Sequence, residues 1–275
     1  MITLFTIPKP FTDPHIRLIQ RNALQSWKHI HPDVEIIALG TDAGIAETAQ
    51  ELGLTHIPGV AITDQGTPRL DSAFALARNT ARHSILMYAN ADMILTSDFI
   101  PAIKKADAAS ASPFLLCGRR WDLDITEEID FKDTNWERPL KDRAHKEGAL
   151  HSVAAMDYFI FRKEIFTDMP ALVVGRIGWD NWMIWYCRKN NISSIDITPV
   201  VTAIHQNHPY RPGHERHERK SQPEALQNLS FIVGKMDTLT IDGTAFKMHA
   251  DYSIKKNFRP GWSGFKSFIR TVIGI

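Results

Sequence analysis

The first hundred residues alternate short apolar runs with helical patterns, and that alternation leaves few folds open. Ile2-Thr3-Leu4-Phe5-Thr6-Ile7 is predicted as a strand, stopped by Pro8 and Pro10. Thr12-Asp13 offers a cap for a helix through Ile16, Ile19, Ala23 and Trp27. A second strand over 34–40 leads through Thr41-Asp42 to a helix ending near Leu52, and His56-Ile57 is a short third strand. A helix opens at Asp71 and runs to about Arg82. An apolar strand at 85–89 follows, breaks at Asn90-Ala91-Asp92 and resumes at Met93-Ile94-Leu95. This rhythm predicts an α/β fold built on a doubly wound, mostly parallel sheet. Ligands of such sheets bind beyond the carboxyl ends of the strands, where Thr6, Pro8, Asp42, Asn90 and Asp92 all lie.

The second half alternates less regularly. Residues 114–118 form a buried strand that delivers Arg119, Arg120, Trp121 and Asp122, where charged groups and an aromatic plane either bind a sugar ring or hydrogen-bond at a core edge. Residues 126–150 are strongly charged with little periodicity and are expected as a loop or mobile helix. Further strands are expected at 157–161, 195–197 and 200–204, with a helix opening at Gly178-Trp179-Asp180-Asn181. Residues 1–220 are expected as one domain, with a regular part over 1–110 and a smaller mixed part over 111–220. Residues 221–275 are expected as a helical extension ending in a basic amphipathic stretch, apolar at Trp262, Phe265, Phe268, Ile269, Val272 and Ile273. That stretch either packs on its own domain or rests on a membrane.

The totals exclude several classes. A net charge of +1 argues against a nucleic-acid binder working by bulk electrostatics, and 44 per cent apolar with 23 per cent charged residues fits a soluble globular chain. Cys117 and Cys187, far apart in apolar surroundings, fit reduced core residues of a cytoplasmic protein. The amino terminus has no charged region ahead of an apolar one, so no secretion signal is expected. No apolar run approaches the roughly 20 residues of a membrane span.

Individual residues carry two readings each. A carboxylate at the end of a buried strand, as at Asp92, is ordinarily paired, hydrogen-bonded or cation-bound, although a turn Asp is also common. Asp180 sits at a helix start, where Asp is among the best caps. Arg69 precedes a helix amino terminus, a good position for phosphate or a sugar hydroxyl and equally a surface position. His205 and His208 stand three apart after a buried strand, where a histidine is either structural or a metal ligand.

Three elements in order, Asn90-Ala91-Asp92, then Gly178-Trp179-Asp180-Asn181, then His205-Gln206-Asn207-His208, resemble those of GT-A glycosyltransferases that use nucleotide-sugars, of the family-2-like kind. The resemblance covers roughly residues 1–210. It implies a hexosyltransferase with a nucleoside-diphosphate sugar donor, UDP-sugar favoured, and a glycan or lipid-linked acceptor hydroxyl. It also implies Mn2+ or Mg2+ held by Asp92 with His205 or His208. Thr6, Pro8, Asp42, Arg69 and Asn90 would lie near the donor. Asp180 would be the catalytic base of an inverting reaction, with Asp157 in reserve. Asn90 replaces the usual acid of the first element, so one charge is missing from the cation site. The expected setting is cytoplasmic, including the inner membrane face, in polysaccharide biosynthesis. A nucleotidyltransferase shares the sheet and metal logic but usually carries a Gly-rich loop after the first strand, where this chain has Pro8-Lys9-Pro10. A non-enzymatic nucleotide- or sugar-binding protein is the other alternative.

Overall fold

The computed structural model describes residues 1–109, 112–208, 222–232 and 240–257. Strands β1 (Ile2–Thr6), β2 (Val34–Leu39), β3 (Thr55–Ile57) and β4 (Ile85–Ala89) alternate with helices α1 (Pro14–His29), α2 (Ile45–Leu52) and α3 (Leu70–Thr80), as the sequence pattern predicts. After the Asn90-Ala91-Asp92 break come β5 (Met93–Ile94), α4 (Phe99–Ala109), β6 (Phe114–Cys117) and β7 (Trp121–Leu123). The chain continues through α5 (Glu137–Glu147), β8 (Ala149–Leu150), β9 (Tyr158–Arg162), α6 (Trp179–Lys189), β10 (Ser193–Asp196) and β11 (Ile204–Gln206). It closes with α7 (Pro223–Ser230), β12 (Phe246–Met248) and β13 (Ile254–Lys256).

These strands form a large sheet in the order β13-β12-β10-β6-β9-β4-β1-β2-β3 and a small one in the order β5-β11-β7-β8. β1 pairs in parallel with both β2 and β4, so the winding reverses between β1 and β4. A crevice must open beyond their carboxyl ends, because the crossovers leave in opposite directions there. β9 runs antiparallel between β4 and β6, the main departure from a parallel sheet.

Strand β4 shows how the core is divided. Ile85, Met87 and Ala89 pack on one face with Ala23, Leu24 and Trp27 of α1, and Leu86 and Tyr88 pack on the other with Phe74 of α3 and Trp179 of α6. A strand buried on both faces reads as continuously apolar, as this one does. Asp13 caps α1 by accepting the Ile16 N–H at 2.9 Å, and the Trp27 indole donates to the Met93 carbonyl at 2.8 Å, tying α1 to β5. Gly44 has φ +86°, and a Cβ there would lie 2.7 Å from Cβ of Phe11. Only glycine lets the turn after β2 dock against the loop after β1.

The second half corrects several expectations. Residues 126–150 contain α5 and β8. Among the residues of α5 only Leu140 and Ala144 are buried, one turn apart, too few to set a visible period. The strand expected at 200–204 is shifted to β11, held by pairing of Ile204 with Ile94 and with Trp121, so His205 lies inside it. The extension expected to be helical supplies α7 but also β12 and β13, which lengthen the large sheet beside β10. These strands have three residues each and carry Lys247, Lys255 and Lys256, so no apolar run marks them. The amphipathic stretch 262–273 and the charged run 214–220 lie outside the described residues. Among the described residues no helix is long and apolar enough to cross a membrane. Both cysteines are buried free thiols.

Candidate active site

The chain leaves β4 through a tight turn in which the Met93 N–H donates to the Asn90 carbonyl at 3.1 Å, and Asp92 sits inside it. The backbone carbonyl of Asp92 accepts from the Gln206 N–H at 3.2 Å and from its side-chain amide at 3.1 Å, which aligns the turn with β11. In β11 and β7, Ile204 and Leu123 face the core beneath α5. Their neighbours His205 and Asp122 therefore face the opposite side, because side chains alternate along a strand.

Asp92 Oδ2 lies 3.2 Å from His208 Nε2 and 3.8 Å from His205 Nε2. One ligand atom from each of the three residues falls within 4.8 Å of the others. Asp92 Oδ1 is buried with no hydrogen-bond partner. A buried carboxylate oxygen left without a partner is costly, and a cation is what would satisfy it. One carboxylate and two imidazoles fit Mn2+ well and Mg2+ less well, and three protein ligands leave positions open for a substrate. Burial alone would raise the Asp92 pKa, but His205, the His208 contact and Lys9 outweigh it and hold the carboxyl below the ordinary range.

A second set of groups supports these ligands. Asp122, opposite His205 in the β7–β11 register, lies with Oδ1 3.3 Å from His205 Nδ1. Its Oδ1 also accepts from Arg120 Nε at 2.9 Å, and its Oδ2 meets His151 Nδ1. Burial would raise the Asp122 pKa, but His151, His205 and Arg120 together hold it below the ordinary carboxylate range. Arg120 also pairs with Asp157 Oδ2, while the Asn90 amide donates to Asp157 Oδ1 at 2.6 Å and accepts from Tyr88 at 3.1 Å.

The expected site residues therefore separate. Asp92, His205 and His208 come together. Asn90 is turned into a hydrogen-bond network that steadies the turn, and Asp157 has both oxygens engaged by Arg120 and Asn90, which suits a positioning role better than that of a base. Gly178, at φ +100°, is the residue before the first turn of α6, so Asp180 is not the cap but the second helical residue. Asp180 Oδ2 accepts the Met156 N–H at 3.1 Å, next to Asp157. Burial raises the Asp180 pKa to about 6, against backbone hydrogen bonds that lower it. Thr6 is buried at the end of β1 with its hydroxyl unpartnered, Pro8 is buried behind it, and Asp42 is exposed beyond β2. Arg69 bonds Asp71 at 2.5 and 3.1 Å, which engages two of its nitrogens at the start of α3.

Sequence reasoning overlooked Lys9 and His151. Lys9 Nζ lies 4.0 Å from Asp92 Oδ2 and 3.1 Å from His208 Nε2. The position of Lys9 beyond β1, next to the strand that delivers Asp92, was the available signal. His151 had none, because β8 is two residues long.

No protein-family model matches the chain, and no curated protein matches it in sequence. Solved structures do match. The glucosyl-3-phosphoglycerate synthase of Mycobacterium tuberculosis in complex with uridine diphosphate superposes with a TM-score of 0.51 at 13% identity, over 86% of this chain and 79% of that one. The same enzyme in complex with Mn2+, uridine diphosphate and phosphoglyceric acid gives 0.51 at 12% identity, over 98% and 91% of the two chains. At such identity the likeness is one of architecture, and the chain has a GT-A-like fold.

Proposed function

We propose that this chain is a metal-assisted glycosyltransferase of the hexosyltransferase type, moving a sugar from a UDP-sugar to a hydroxyl acceptor. The observation that carries the reading is the convergence of Asp92, His205 and His208 at the β1–β4 switch point, with a buried Asp92 oxygen that lacks a partner. The synthase structures of similar architecture hold uridine diphosphate or UDP-glucose with Mn2+, and phosphoglyceric acid as a small partner molecule, which supports the choice of donor. A Mn2+ or Mg2+ ion on Asp92, His205 and His208 would offset the charge of the departing diphosphate.

The chain's own residues supply the rest. Thr6 and Pro8 at the end of β1, with Asp42 beyond β2, border the nucleoside side, so residues 1–110 form the donor half and 111–220 the acceptor half. Asp180 takes the proton from the acceptor hydroxyl as its oxygen bonds the anomeric carbon and the bond to the diphosphate breaks. A carboxyl with a pKa of about 6 is ionised at neutrality and still basic enough for that transfer. The acceptor is a glycan, lipid-linked or small-molecule hydroxyl, and the setting is cytoplasmic.

The test is incubation with Mn2+ and a panel of UDP- and GDP-sugars while free nucleoside diphosphate is followed. UDP release that Asp92→Ala abolishes is the expected result. A folded protein that turns over none of the panel, with or without candidate acceptors, contradicts the reading.

A further inference from the structure

Lys9 is held more firmly than a loop lysine needs to be. It stands between Pro8 and Pro10, and a following proline confines its backbone to extended conformations. Its N–H donates to Gln20 Oε1 at 2.6 Å, and its carbonyl accepts from Gln20 Nε2 at 2.9 Å. Gln20, from α1, is itself 2% exposed and is held in place by the core. The result is a two-point clamp on a single peptide at the carboxyl end of β1. From there the side chain crosses the switch-point crevice to the cluster on the far strand. Its ammonium lies 3.1 Å from His208 Nε2 and 4.0 Å from Asp92 Oδ2.

That contact is chemically selective. His208 Nε2 also faces Asp92 Oδ2 at 3.2 Å. One ring nitrogen cannot donate to the carboxylate and accept from the ammonium at once. If it accepts from Lys9, its lone pair is unavailable to a metal. A cation bound by Asp92 and His208 must therefore displace the ammonium, and the clamped backbone keeps it within reach of whatever anion the cation brings.

We infer that Lys9 is a diphosphate-binding residue that also occupies the cation position when no nucleotide is bound. The inference rests on the glycosyltransferase reading and adds to it a partner for the leaving group. A bare cation competes with Lys9 for Asp92 and His208, whereas a cation carrying UDP recruits it.

Lys9→Met and Lys9→Arg test this against wild type, with Mn2+ alone measured by electron paramagnetic resonance of the free ion and UDP titrated at saturating Mn2+. Lys9→Met is expected to bind Mn2+ alone several-fold more tightly and UDP about tenfold or more weakly, since a hydrogen bond to a charged group is lost. Lys9→Arg is expected to recover most of the UDP affinity. Opposite signs for the two ligands are what a merely structural residue would not give. If Lys9→Met weakens both, or leaves UDP affinity within twofold of wild type, the inference is overturned and the metal site stands. If wild type itself binds no UDP, the glycosyltransferase reading fails and this inference with it.

Discussion

Asp122 and His205 face each other across paired positions of β7 and β11, with Asp122 Oδ1 3.3 Å from His205 Nδ1 and His205 Nε2 3.8 Å from Asp92 Oδ2. The ring thus has a carboxylate at each nitrogen. At that separation the two atoms are in ion-pair contact, although the geometry falls short of a regular hydrogen bond. Such an outer carboxylate fixes the tautomer that leaves Nε2 free to ligate.

Asp122→Asn should therefore weaken Mn2+ binding about 10- to 100-fold. Circular dichroism should show the fold retained, because Arg120 keeps Asp157 as its other partner. Unchanged Mn2+ affinity by calorimetry would remove Asp122 from the site.

Asp180→Asn should lower kcat about 10²- to 10⁴-fold while leaving Mn2+-dependent UDP binding intact. In the wild type kcat should rise with pH through about 6, as Asp180 loses its proton. The stability effect has the opposite sign. The folded pKa lies above the ordinary value near 4, so the native state holds the extra proton between the two, and stability falls as pH rises through about 6. Asp180→Asn should thus melt at or above the wild-type temperature at pH 8, with little difference at pH 4. If Asp180 is the base, the product has the anomeric configuration opposite to the donor. Retention, read by NMR of the product, would assign Asp180 another role and leave the donor site untouched.

Restoring an acid at the first position of the turn should not improve the metal site. Asn90 donates to Asp157 and accepts from Tyr88, so Asn90→Asp removes a donor from a buried carboxylate and adds a like charge beside it. A loss of about 1–3 kcal/mol is expected, with Mn2+ affinity no better than wild type. Denaturant melts and Mn2+ titration check both parts.

Glu224 of α7 is 3% exposed and accepts from Arg176 at 2.8 Å, Thr67 at 3.0 Å and Thr63, strapping the segments ahead of α3 and α6 to α7. Arg176→Ala leaves a buried carboxylate without its countercharge and should cost about 3–5 kcal/mol. Urea unfolding measures it, and the double variant Arg176→Ala, Glu224→Gln should recover part of the loss.

The first half of the fold was readable because β1, β2 and β4 are largely apolar strands separated by helices, with Asp13 capping α1 and Gly53 ending α2. The second half was not, since β7, β8, β12 and β13 have two or three residues each and take their direction from partners distant in sequence. Asp92, His205 and His208 could be named from sequence because each follows or ends an apolar run. Their support could not. Whether Asn90 meets a ligand or Asp157, and whether Asp122 meets a sugar or His205, depends on β9 and β7 arriving beside β4 and β11. No local pattern encodes that pairing. Asp180 falls on the expected helix but two positions past its cap, because Gly178 needs its positive φ to enter α6 and so takes the position ahead of the first turn.

Calorimetric titration of UDP, with and without Mn2+, into wild type and Asp92→Ala tests the metal-dependent donor site. Tight binding is expected for wild type only when Mn2+ is present, and is expected to be lost in a folded Asp92→Ala. UDP binding that is indifferent to both Mn2+ and Asp92 would contradict it.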